Sequence, residues 1–181
     1  TGDPIGKKLS GPGIRAWHMA HALAQTHDVT LLSMSEVDEA LSADVRLVQV
    51  DAGDDKAFAG WEKWADVIIF QGHALEVFSS LRSSTKHLIA DIYDPMHLEQ
   101  LEQARHLPAT QWEKQVSDAT DTIQHQLEVG DYFLCASERQ RHFYLGQLTT
   151  LRRVNPGVYG DDPHLEKLIG VVPFGLPDTP P

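Results

Sequence analysis

The sequence predicts an α/β protein, a Rossmann-like three-layer α/β/α arrangement around a mainly parallel sheet. Short apolar runs alternate with helically spaced segments along the whole chain, the pattern of a sheet with helices on both faces. One of those runs, Asp66-Val67-Ile68-Ile69-Phe70-Gln71, is continuous rather than alternating, the mark of a parallel strand covered on both sides. There is no internal repeat and no low-complexity tract to suggest a solenoid or a disordered tail.

Taken in order, Thr1 to Gly6 reads as a loop, and Ser10-Gly11-Pro12-Gly13-Ile14-Arg15 as a glycine-rich loop entering a helix. Such loops normally leave the end of a strand, so a first strand is expected ahead of Thr1. Ile14, Trp17, Ala20 and Ala24 follow helical spacing. Val29–Met34 and Val45–Val50 read as strands, and Asp54–Trp64 as a helix burying Phe58 and Trp61. Helix resumes over Ala74–Arg82 after the strand that ends at Gln71. Lys86–Asp91 is the next strand, and 96–130 holds two helices broken near Pro108. Asp131–Ala136 is a buried strand, and Ser137 with Gln140 three residues on forms a capping box that starts a helix to about Leu148. Asn155-Pro156-Gly157 and Tyr159–Pro163 read as loops, His164–Leu168 as a short helix, and Ile169–Gly175 as the last strand. Residues 1–175 are expected to form one domain, with 176–181 beginning a linker.

Composition narrows the function classes. A formal charge of −11 over 181 residues argues against a nucleic-acid binder, which carries a basic stripe. The single cysteine, Cys135, excludes an internal disulfide framework and a cysteine-built zinc cluster. No apolar run is long enough to span a membrane, and no signal peptide is visible, which points to the cytoplasm.

In doubly wound sheets ligands lie at the carboxyl ends of the strands. That rule selects Gly11, Gly13 and Arg15, then His73, then Asp91, Asp94 and His97, then Ser137, Glu138 and Arg139, and last Phe174 and Gly175. Glycines let a ligand approach the backbone, and a helix N-terminus with an arginine suits an anion. Asp94 and His97 stand three apart at an expected helix start, where a carboxylate can orient an imidazole as base or hydrogen-bond partner. Asp94 could equally be a plain helix cap, with Pro95 at the first helical position. His18 and His21 stand at i and i+3, but no further ligand has metal-site spacing, so no metal is expected. The tryptophans Trp17, Trp61, Trp64 and Trp112 are expected to pack helices on the sheet. Gly11-Pro12-Gly13-Ile14-Arg15-Ala16 literally matches the G-x-G-x-x-[GA] dinucleotide fingerprint. Its long lead-in, Gly2 to Ser10, departs from that fingerprint, which keeps NAD(P) binding as the alternative. A non-catalytic ligand-binding α/β domain is a third reading. No Gly-x-Ser-x-Gly elbow and no P-loop is present.

The order of these features resembles the N-terminal domain of a GT-B retaining glycosyltransferase of the family 4 type. The resemblance is carried by Gly11-Pro12-Gly13-Ile14-Arg15 through His27-Asp28-Val29, by Asp66–His73, by Asp91-Ile92-Tyr93-Asp94, by Ala136–Arg141 and by Val171–Leu176. It implies transfer of a sugar from a nucleotide-sugar to the hydroxyl of a glycan or lipid-linked acceptor, with retention and without a cofactor. It also implies a C-terminal donor-binding domain beyond Pro181, without which the chain is expected to be inactive. On this resemblance Gly11, Gly13 and Arg15 would face the donor diphosphate or an anionic acceptor. His73, Asp94 and His97 would approach the acceptor or the transferred sugar, with the last two catalytic. Ser137, Glu138 and Arg139 would line the cleft.

Overall fold

The computed structural model describes residues 1–41 and 45–175. The expected start of a linker at 176–181 lies outside the described residues. The structure is α/β, and the strand pairs among the described residues are parallel, in line with the mainly parallel sheet the sequence predicts, but the strands form two small sheets rather than one. The chain divides into two compact units.

The first unit holds Thr1–Ala65, Gln71–Ser84 and the segment from Phe174. Helix α1 spans Gly11–Ala24, β1 Thr30–Ser33, β2 Arg46–Gln49 and α2 Asp55–Trp64. β1 and β2 pair in parallel, with Leu31 opposite Leu47. The segment ahead of α1 runs beside β1: the Thr1 backbone nitrogen donates to the Leu32 carbonyl, the Met34 N–H donates to Thr1, and Ile5 bridges Val37 in parallel. Ile5, Ala20, Leu31, Val45 and Leu47 are buried together, with Leu9, Trp17 and Val37 packed against them.

Two sequence expectations change here. The Gly11-Pro12-Gly13 stretch is not a loop but the first turn of α1, with Ser10 as its cap. Pro at a first-turn position costs no hydrogen bond there and presets the helical φ, which is why the helix begins early. The expected helix over Ala74–Arg82 splits at Phe78 into α3, Ala74–Val77, and α4, Ser79–Arg82. Phe78 takes an extended conformation and buries its ring in a stack on Phe58, 4.3 Å between centroids. Asp55 then accepts from Ser79 Oγ at 2.7 Å and from the Ser80 N–H, capping the new helix from outside. These bonds hold the Asp55 carboxyl below its usual value.

The second unit holds Asp66–Phe70 and Thr85–Pro173. Its strands β3 Val67–Phe70, β4 His87–Asp91, β5 Tyr132–Cys135 and β6 Ile169–Val171 lie side by side in chain order, all parallel. β3 is an edge strand, so Val67 and Ile69 stay 47% and 37% exposed although the continuous apolar run predicts burial on both faces. Helix α5 covers Met96–Gln103, α6 Ala109–Val129 and α7 Glu138–Thr150. Phe133, Ile123, Leu127, Tyr144, Leu148 and Ile169 are the large buried side chains between helices and strands. The Asn155-Pro156-Gly157 turn proves to open a helix, α8 Pro156–Asp161, because Asn155 accepts from the N–H groups of Gly157 and Val158 with Pro156 preset behind it. Conversely no helix forms at 164–168, where Leu165 has a φ of +57° that helical geometry forbids.

Candidate functional site

The glycine segment uses up much of its own anion-binding capacity. Of the N–H groups that a helix start leaves open, Pro12 has none and Gly13 donates to the Ser10 hydroxyl at 3.3 Å. The Ile14 N–H is already in the helical ladder, on the Ser10 carbonyl. Neither glycine has a positive φ. Gly13 is small for packing: a Cβ there would meet the Pro4 carbonyl oxygen at 3.3 Å. Gly11 has open space around it. Arg15 lies in the second turn rather than the first and is 4% exposed, its guanidinium 5.2 Å from the centre of the Phe174 ring. The fold thus joins Arg15 and Phe174 from opposite ends of the sequence in a cation–π contact. Next to them in the same unit, Gln71 Nε2 donates to the Pro12 carbonyl and to Thr1 Oγ1.

His73 follows β3 and is exposed at the cap position of α3, where its ring makes no cap bond. Gly72 before it has a φ of +61°, a turn that favours glycine. Gly175 is exposed coil. His21, three residues after His18, packs its ring on Trp17 at 4.0 Å, and its Nδ1 bonds the Trp17 carbonyl.

The second unit brings together Asp91, Asp94, His97 and Ser137 around the carboxyl ends of β4 and β5. Tyr93 and Asp94 form the turn between β4 and α5, and α5 starts after Pro95. Asp94 is therefore not the side-chain cap that an aspartate before a proline predicts; its backbone carbonyl accepts from the Met96 N–H instead. Its carboxylate is half-buried, and Oδ1 is buried without a hydrogen-bond partner. Burial, then the charge of the neighbouring Glu99 carboxylate and a hydrogen bond shared with it, pushes the Asp94 carboxyl up to about 6. His97, in the first turn of α5, stacks on Phe143 with ring centroids 5.5 Å apart, and its Nδ1 is also buried without a partner. Burial pushes the imidazole below its usual value, so His97 is neutral near neutral pH.

Opposite these stands α7. The Ser137 hydroxyl caps it, accepting from the Gln140 N–H, while Gln140 Oε1 accepts from the Ala136 N–H at 2.7 Å. Gln140 Nε2 donates to the Tyr93 carbonyl at 2.7 Å, which fixes the Asp94 turn to the start of α7. Glu138 and Arg139 are exposed. Tyr144 is fully buried, its hydroxyl has no partner, and its ring meets Phe143 edge-on at 5.2 Å. Burial, then the charges of Asp94, Cys135, Asp91 and Glu99, pushes the phenol well above its usual value.

Sequence reasoning finds Asp91, Asp94, His97 and Ser137 but misses Phe143, Tyr144 and Glu99, and sees Gln140 only as a cap. The available signal is the spacing Gln140, Tyr144, Leu148, which places a polar, a phenolic and an aliphatic side chain on one stripe of α7 facing the strands. Chemically the site offers a carboxylate oxygen, a neutral imidazole nitrogen and a phenol oxygen, all desolvated and unpaired, beside an aromatic ring that is 37% exposed. Unpaired buried polar atoms are rare because each costs about 1–3 kcal/mol, so they mark a place where an incoming ligand gains hydrogen bonds. No group of three or more histidine, cysteine, aspartate or glutamate side chains suited to a metal occurs among the described residues. No helix among them is long and apolar enough to cross a membrane. Comparison of the chain with protein-family models, curated proteins and solved structures returns no match.

Proposed function

We propose that this chain is the acceptor-binding domain of a retaining glycosyltransferase that moves a sugar from a nucleotide-sugar to an acceptor hydroxyl, with Asp94, His97 and Tyr144 holding the acceptor. The observation that carries the reading is the set of buried, unpaired polar atoms of those residues at the carboxyl end of β4. A polyol supplies both donors and acceptors on adjacent carbons, which suits a site made of mixed acceptor and hydroxyl groups. Phe143 adds an apolar ring face against which a sugar can lie. A neutral imidazole and a carboxyl titrating near 6 can share and return a proton from a bound hydroxyl. In this reading Asp94 and His97 orient the acceptor hydroxyl, and the donor is held mainly by a further domain.

The rival reading, a dinucleotide-binding domain, needs the Gly11–Gly13 segment to cradle a pyrophosphate. Its first-turn glycines have helical geometry, and the Gly13 N–H is already engaged with Ser10, which favours the sugar reading. Calorimetric titration of the chain with NAD, NADP and free sugars separates the two. The proposal expects sugar binding that is weakened in Asp94→Asn and no NAD(P) binding. Tight NAD(P) binding would overturn it.

A further inference from the structure

We propose that this site takes a primary ammonium group, so that the acceptor held by Asp94, His97 and Tyr144 is an amine-bearing sugar. This rests on the reading of the site as an acceptor site and narrows its substrate class. The unpaired buried atoms are Asp94 Oδ1, His97 Nδ1 and the Tyr144 hydroxyl. A carboxylate oxygen only accepts, a neutral imidazole with its proton on Nε2 accepts at Nδ1, and a phenol oxygen can accept. An ammonium has three donors and no acceptor, and matches such a set one to one.

The surroundings favour the same choice. Four acidic or thiol groups act on the phenol from neighbouring elements: Asp91 from β4, Asp94 from the turn after it, Glu99 from α5 and Cys135 from β5. Among the described residues no lysine or arginine acts on Asp94, His97 or Tyr144. Glu99 is exposed, accepts from Gln103 Nε2 on its own helix and shares a hydrogen bond with the Asp94 carboxyl, so the two carboxyls form one acidic pair beside the unpaired Asp94 Oδ1. A phosphate or carboxylate ligand would be repelled. A neutral sugar would satisfy the hydrogen bonds but leave the desolvated carboxylate uncompensated. A cation does both. Phe143, ring against ring with His97 and edge-on to Tyr144, adds an electron-rich face beside the cation. Tyr144 is at 0% exposure, and its hydroxyl has no hydrogen-bond partner among the described residues.

The test titrates the 181-residue chain with glucosamine, N-acetylglucosamine and glucose at about pH 7, with thermal melts run in parallel. The proposal expects glucosamine to bind at least about tenfold more tightly than the other two. It expects that advantage to fall to about twofold or less in Asp94→Asn and in Tyr144→Phe. It also expects the advantage to shrink at about pH 5, where Asp94 is protonated. Equal binding of glucose and glucosamine would overturn the ammonium proposal and leave the acceptor reading standing. Binding of none of the three would overturn both. A glucosamine preference that survives in Asp94→Asn and in Tyr144→Phe would place the amine elsewhere and overturn the assignment. Tyr144→Phe removes one oxygen from a packed ring, so it serves even where Asp94→Asn melts early.

Discussion

The side-chain amide of Gln140 donates to the Tyr93 carbonyl oxygen at 2.7 Å while its oxygen accepts from the Ala136 N–H at the same distance. One side chain therefore locks the start of α7 to the turn that carries Asp94. Gln140→Glu keeps the acceptor for Ala136 but sets a carboxylate oxygen against the Tyr93 carbonyl. We expect it to lose about 1–2 kcal/mol in urea unfolding and to shift the NMR signals of the His97 ring. Gln140→Ala should cost as much or more, since it also removes the acceptor for the Ala136 N–H. An unchanged His97 spectrum in Gln140→Glu would show that the turn does not depend on this bond.

Arg153 does comparable work at the C-terminal end of α6. Its guanidinium donates to the carbonyls of Leu127, Glu128 and Gly130 and lies over the Phe133 ring. Those carbonyls belong to a helix end that has no intrahelical partners. Arg153→Met is expected to lower stability by about 2 kcal/mol, read as a lower denaturant midpoint at unchanged slope. An unchanged midpoint would contradict the role.

Tyr144→Phe removes a buried hydroxyl that has no partner. Deleting such a group should leave the free protein as stable as before or raise its stability by up to about 1 kcal/mol, although it weakens amine binding. A clear loss of stability in the free protein would mean that the hydroxyl is bonded.

Asp94 makes stability depend on pH. Its carboxyl is raised to about 6 in the fold against an ordinary 3.8, so the folded state holds the proton more tightly than the unfolded chain. Its contribution is greatest below the unfolded value and is lost as pH rises through about 6. With the screening due to a half-exposed group, the effect should be on the order of 1 kcal/mol. Asp94→Asn should abolish this fall between about pH 4 and pH 7. The comparison is a pair of denaturation series across pH, and identical slopes in both proteins would contradict the assignment.

Much of the second unit was legible in the sequence. The strands ending at Asp91 and Cys135 stand out as apolar runs, and the Ser137 and Gln140 pair marks the start of α7, because both signals are local. What escaped was non-local. Arg15 reads as an anion-binding side chain at a loop, but the fold buries it against Phe174, and no spacing rule connects residues so far apart. Phe78 broke a continuous helical pattern because its ring had a partner in Phe58. Tyr144 is part of the core, and its unpaired hydroxyl near Asp94, which no local pattern marks, distinguishes it from an ordinary packed tyrosine.

The central claim is that ligand binds between the Asp94 turn and α7. Backbone amide shifts of the isotopically labelled chain, followed as glucosamine is added, test it most directly. The account expects the shifts to concentrate in Asp91–His97 and Ser137–Tyr144 and to need more glucosamine in Asp94→Asn. Shifts confined to Gly11–Arg15, or none anywhere at saturating sugar, would contradict it.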